Sequence, residues 1–126
     1  MKFERQDPQD KFLISGYSET TFRVAGKSQT GAVLVAPDYA EPAPIAVYED
    51  FDARAVLRVL KQIGPIEVLL IGSGKAMQLF PSRHRQTLSD AGISVDVMDT
   101  GAAARTYNVL VMEDRLVACL LFPAGS

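Results

Sequence analysis

The chain opens on a polar stretch and then sets short apolar runs between turn residues. Leu13 to Gly16 is a short apolar run, Thr21 to Ala25 alternates around Phe22 and Val24, and Ala32 to Ala36 is continuously apolar. Gly26-Lys27 and Thr30-Gly31 punctuate these runs, and Pro37-Asp38 ends the third. Such runs bounded by turn residues predict strands. Pro42 and Pro44 predict an extended connector, followed by a further short strand over Ile45 to Tyr48 at a sheet edge. At Asp50 the period changes. Phe51, Ala55, Val59 and Ile63 fall four apart, with Val56 and Leu60 beside them, which predicts one apolar helix face. Asp50 or Asp52 is placed to cap its start, and Gly64-Pro65 to end it.

The remainder alternates strand and helix. Ile66 to Ile71 (IEVLLI) is nearly all apolar and predicts a strand buried on both faces. Pro81 to Ala91 predicts a short helix closed by Gly92, and Ile93 to Met98 (ISVDVM) an alternating strand. Thr100 is the expected cap of a helix over Gly101 to Glu113, with Ala103, Tyr107, Leu110 and Val111 on its apolar face. Leu116 to Phe122 (LVACLLF) predicts a final buried strand. A β-rich first third is thus followed by α-β-α-β-α-β. The fold class is α/β (α+β), a mixed sheet with helices on at least one face, a β-α-β-α-β C-terminal portion and a small antiparallel part from the first third. Parallel neighbours place the C-terminal ends of 66–71, 93–98 and 116–122 on one edge. Gly72-Ser73-Gly74-Lys75, Asp99-Thr100-Gly101 and Pro123 then gather where open α/β sheets bind ligands.

Composition narrows the function. The 126 residues fit one domain, read here as 12–126 after a solvated tail over 1–11. A formal net charge of −2 and the lack of a Lys/Arg run argue against a nucleic-acid surface. No apolar run approaches the roughly 20 residues of a membrane span. The polar N-terminus lacks an apolar h-region and the Arg-rich, acid-poor character of a presequence, so a cytoplasmic location is expected. The single Cys119 permits no internal disulfide and no cysteine cluster for a metal. A buried, inert thiol is its expected state. His84, the only histidine, has no partner placed by spacing and reads as structural.

Two turns carry the candidate chemistry. Gly72-Ser73-Gly74-Lys75 suggests an anion site, because glycines let successive N–H groups face a phosphate and Lys75 adds charge. The full P-loop fails at Leu69 and Ala76, a nucleophile elbow fails at Ile71 and Lys75, and the dinucleotide fingerprint lacks its third glycine. A tight turn needing small residues for packing is the plainer reading. Asp99-Thr100-Gly101 resembles the triplet of aspartic proteases, but the helix-forming Ala102-Ala103-Ala104-Arg105 follows it, and a helix start is the better reading. Asn108 borders the apolar face of that helix. A half-buried Asn needs partners, and a backbone contact that steadies the turn edge is expected of it.

The ordered combination of Ile66 to Gly74, Gly92 to Thr100, Ala103, Tyr107-Asn108, Leu110 and Glu113-Asp114-Arg115 resembles the adipogenesis-associated Mth-domain family. That family also contains the mitochondrial NADH dehydrogenase (complex I) assembly factor three. The resemblance covers about Leu13 to Phe122 and implies a three-layer single domain around a mixed central sheet. Gly72, Gly74, Thr100, Ala103, Tyr107 and Asn108 match the family pattern. Ser73 replaces a usual Thr, and Asp114 a frequent Gly, which Asp can replace because it tolerates the left-handed region. The resemblance carries no catalytic residues.

Two functions are therefore expected in order. The first is a non-catalytic interaction or assembly-factor-like module with a protein partner. The second is a small anionic-ligand-binding protein, or an enzyme, using Gly72, Ser73, Gly74, Lys75, Thr100, Arg105 and Asn108. No cofactor, metal, nucleic acid or membrane span is expected in either case.

Overall fold

Alternation along the strands decides the layers. The computed structural model describes residues 11–126. Its central sheet has five strands in the order β5-β4-β8-β6-β7. These are β4 (Val33–Ala36), β5 (Tyr39–Pro42), β6 (Val68–Gly72), β7 (Ser94–Met98) and β8 (Val117–Leu121). β6 pairs parallel with both β7 and β8, while β4 runs antiparallel to β8 and to β5. Every residue of β4 and β8 is buried, as strands covered on both faces require. Leu34, Leu69, Ile71, Ala118 and Leu120 face one side. There they meet Val56 and Leu60 of α1 (Ala53–Ile63) and Leu88 of α2 (Ser82–Asp90). Val33, Val35, Leu70, Val117, Cys119 and Leu121 face the other side. They meet Ala103, Ala104, Tyr107 and Val111 of α3 (Thr100–Met112), and Ile14, Phe22 and Val24 of a second sheet. That sheet is the antiparallel meander of β1 (Ile14–Tyr17), β2 (Thr21–Val24) and β3 (Lys27–Thr30). The three layers and the mixed sheet are those expected of the chain.

Chain direction explains why the helices divide between faces. The step from β6 to β7 moves outward, and the step from β7 to β8 moves back across β6. Crossovers of one hand must change face when they change direction. Hence α2 lies on the first face and α3 on the second.

Several local expectations are corrected. Ile45 to Tyr48 forms no strand; Tyr48–Asp50 is a single 3₁₀ turn. Pro44 has no N–H to donate, and the edge is already taken by β5. Neither β3 nor β5 was expected, because KSQT and YAEP carry no apolar alternation. They form as the return arms of hairpins whose partners, β2 and β4, are apolar. The buried line of α1 is Ala53, Val56 and Leu60, while Ala55 and Val59 are half-buried. Asp52 caps this helix, its carboxylate accepting from Arg54 and Ala55 N–H at 3.0 and 3.2 Å. Gly64 ends it at φ 130°, in the left-handed region where glycine is favoured. Of the tail read over 1–11, all but Lys11 lies outside the described residues. The Lys11 ammonium pairs with the Asp114 carboxylate.

Leu120 lies fully buried in the central strand between the helical layer and the sheet. Leu120→Ala is expected to lower the unfolding free energy by about 2–5 kcal/mol, measured by urea denaturation.

Candidate functional site

The two turns meet. The N–H of Gly74 donates to Thr100 Oγ1 at 2.9 Å, and Thr100 N–H returns a bond to the Gly74 carbonyl at 2.8 Å. The Thr100 hydroxyl then donates to the Phe122 carbonyl at 2.7 Å, just past β8. Phe122 N–H closes the ring by donating to the Gly72 carbonyl at 2.9 Å. Thr100 is fully buried. It lies where the strand order reverses between β6 and its two neighbours, the position at which open α/β sheets form their ligand crevice.

Close approach explains the glycines. A Cβ on Gly72 would lie 2.8 Å from Thr100 Cα and 2.9 Å from Leu121 Cδ2. Gly74 sits at φ 111°, and a Cβ there would meet the Ser126 carbonyl oxygen at 2.7 Å. Ser73 is buried and bonded throughout. Its N–H donates to the Met98 carbonyl at 2.9 Å, its hydroxyl donates to the Ala76 carbonyl at 2.8 Å, and it accepts from Gln78 N–H at 3.1 Å. Lys75 N–H donates to the Ser126 carbonyl at 3.2 Å, while its side chain is exposed.

The start of α3 is capped by Asp99, whose carboxylate accepts from Ala102 N–H at 2.9 Å. This corrects the expectation that Thr100 is the cap. Thr100 occupies the first helical position, and its hydroxyl is committed to Gly74 and Phe122. Arg105 is exposed one turn along, with its guanidinium beside Gly101 and the Tyr17 hydroxyl. Asn108 stands apart from the turns. It grips β1, accepting from Ile14 N–H at 2.9 Å and donating to the Ile14 carbonyl at 2.8 Å. The expected backbone contact exists, but it ties down the second sheet and not the turn edge. Gly72, Ser73, Gly74, Lys75 and Thr100 are thus brought together; Asn108 is not.

Sequence reasoning missed the apolar rim beside this edge. Leu79 is 92% exposed, Met77 68% and Val47 46%. The Tyr48 hydroxyl donates to the Leu79 carbonyl at 2.8 Å, and Tyr48 stacks edge-on against Phe122. Next to it Phe51, Phe80 and His84 pack with ring centroids 5.0 to 5.7 Å apart. Burial lowers the His84 pKa, the Arg83 charge adds to this, and Asp52 opposes it. The available signal was two apolar residues in a loop that belong to no helix or strand period. Two depressions flank Tyr48: one lined by Val47, Phe122, Pro123 and Ser126 holds about 130 Å³, and one lined by Phe51, Leu79, Phe80, Arg83 and His84 holds about 270 Å³, against the roughly 300 Å³ at which ligand pockets begin. Among the described residues, no group of three or more His, Cys, Asp or Glu side chains is arranged to hold a metal ion. Also among them, no helix is long and apolar enough to cross a membrane.

A three-layer α/β domain whose strand-reversal crevice is filled by its own threonine is the class that this geometry defines. The chain belongs to the family described as protein of unknown function (DUF498/DUF598), whose profile matches residues 14–122. It is 36% identical over 110 residues to an uncharacterized protein of Rhodobacter capsulatus, covering 87% of this chain and 83% of that protein. It is 28% identical over 119 residues to the NADH dehydrogenase (ubiquinone) 1 alpha subcomplex assembly factor 3 of Xenopus tropicalis. That match covers 94% of this chain but 64% of the Xenopus factor. The solution structure of a Bordetella pertussis protein, a Mth938-like domain, shares the fold with a TM-score of 0.80 at 24% identity, covering 100% of this chain and 94% of that one. The Mth-domain resemblance read from the residues is therefore correct.

Two outcomes follow from the α3 face. Asn108→Ala leaves both Ile14 backbone groups without their partner and is expected to cost about 1–3 kcal/mol in thermal or chemical unfolding. Complete burial raises the Cys119 thiol well above its ordinary value. A raised folded pKa means that its share of stability is whole below the unfolded value near 9.0 and is lost as pH climbs past it. Stability is expected to fall in alkali less steeply in Cys119→Val, and native Cys119 to resist thiol reagents until the chain unfolds.

Proposed function

We propose that this chain is a non-catalytic interaction module, assembly-factor-like in role, that docks a protein partner at the C-terminal end of its sheet. One observation carries the reading. The polar groups of the two turns bond to one another, while Val47, Met77 and Leu79 stand outward beside them. Exposed apolar side chains rimmed by charge mark interaction sites, and Lys75, Glu49 and Arg83 supply the rim. The name of the Xenopus relative, an assembly factor, supports a partner that is a protein. The alternative, a small anionic ligand held by Gly72–Lys75, Thr100 and Arg105, draws support from the exposed Lys75. It is disfavoured because the N–H groups of Ser73, Gly74, Lys75 and Thr100 already donate within the chain.

The test is recovery of a defined partner with the tagged protein from its own host, followed by measurement of that pair's affinity. Met77→Glu/Leu79→Glu is expected to weaken binding at least about tenfold with an unchanged circular dichroism spectrum, while Lys75→Ala/Arg105→Ala retains it. The reverse pattern would overturn the reading and move function to the turns.

A further inference from the structure

We propose that α3 is a self-association surface, pairing antiparallel with α3 of a second copy about a two-fold axis through Val109. The inner face of the helix buries Ala103, Ala104, Tyr107 and Val111. Its outer face is left uncovered, with Val109 55% and Met112 49% exposed and Arg105, Met112 and the closing Glu113 all in solvent. At about 3.6 residues per turn, Arg105, Thr106, Met112 and Glu113 all fall within about 60° of Val109 around the axis.

The order of these residues points to a second copy as the occupant. A two-fold contact must be self-complementary, each patch meeting itself reversed. In an antiparallel pair centred at Val109, residues equally far before and after that position come to the same height, and an inclined crossing that lays the four-apart rows of the two helices side by side brings the residues four away into contact. Arg105 stands four before Val109 and Glu113 four after it; Thr106 stands three before and Met112 three after. Each Arg105 therefore meets Glu113 of the second copy, twice per dimer. The two Val109 side chains touch at the centre, and each exposed Met112 flanks that contact. A parallel pair would set Arg105 on Arg105 and Glu113 on Glu113, so charge selects the antiparallel arrangement. The Arg105 guanidinium, beside Gly101 in the single chain, reaches the new partner by a rotamer change that exposed side chains make freely.

Strand addition is the competing route to a dimer, and both edges of the central sheet carry obstacles. Arg85 Nη1 donates to the Val95 carbonyl of edge strand β7 at 2.6 Å, and Gln29 Nε2 to the Ala40 carbonyl of edge strand β5 at 3.4 Å. A helix of thirteen residues is about 20 Å long. One face of it covers less than the roughly 800 Å² per partner of a durable interface, so the dimer is weak, concentration-dependent and loosened by salt.

The test is sedimentation velocity over a concentration series at low salt. A reversible monomer–dimer shift is expected, with Arg105→Glu or Glu113→Arg alone raising the dissociation constant about tenfold or more. The double reversal Arg105→Glu/Glu113→Arg is expected to restore it, since the pairing is kept with its signs exchanged. Val109→Cys should form a covalent dimer under mild oxidation, whereas Arg54→Cys on exposed α1 should not. A monomer at every concentration, a double reversal no tighter than either single, or no Val109→Cys dimer would overturn the proposal. A dimer abolished by Met77→Glu/Leu79→Glu but indifferent to Arg105→Glu would overturn it too, assigning self-association to the end of the sheet. None of these results depends on finding the protein partner proposed above.

Discussion

One hydroxyl joins the elements that meet at the turn-bearing end of the sheet. Thr100 Oγ1 accepts from Gly74 after β6 and donates to Phe122 after β8, while its backbone opens α3. Three elements from separate parts of the chain are joined through a side chain that sees no solvent. A buried polar atom in that position is costly unless every bond is made, so the surrounding backbone must be exact. Gly72 answers this requirement, because any side chain there would collide with Thr100 and Leu121. At the sheet end where other open sheets place ligands, the ends of β6 and β8 and the start of α3 are joined by these bonds.

Consequences spread outward from the joint. With Asp99 taking over the capping of α3, the helix starts against the sheet and runs across β6, β8 and the second sheet. Tyr107 and Asn108 then reach the N-terminal segment: Tyr107 through its hydroxyl to the Phe12 carbonyl at 2.8 Å, Asn108 to both backbone groups of Ile14. Burial drives the Tyr107 phenol far above its ordinary range and keeps it a donor. The small sheet is thus fastened to α3 by side-chain bonds as well as by the apolar contacts of Phe22 and Val24. Apolar side chains are left outside at two places in particular, the Val47–Met77–Leu79 rim at one end and the Val109–Met112 face of α3.

Much of this was legible beforehand. The IEVLLI and LVACLLF runs announced strands covered on both faces, and Gly64-Pro65 and Gly92 announced helix ends, because burial and backbone freedom act locally. The meeting of the Gly72 and Asp99 turns followed from parallel crossovers alone. β3 and β5 were illegible for the opposite reason: their polar side chains carry no period, and their partners' hydrogen bonds alone make them strands. Asn108 announced its need for partners but not where they were, since Ile14 lies 94 positions away.

By itself the sequence determined the alternation of helices and strands from Phe51 onward, the fold class, the sheet edge where the turns collect and the family. These depend on periodicity, on caps and on residues whose backbone conformation is restricted. Tertiary structure alone decided what each polar atom at that edge does. Thr100 could cap a helix or bridge two strands with the same hydroxyl, and only the distance to Gly74 and Phe122 chooses between them. The same holds for Met77, Leu79 and Val109: an apolar residue becomes a surface feature only once the layers have decided which faces they cover.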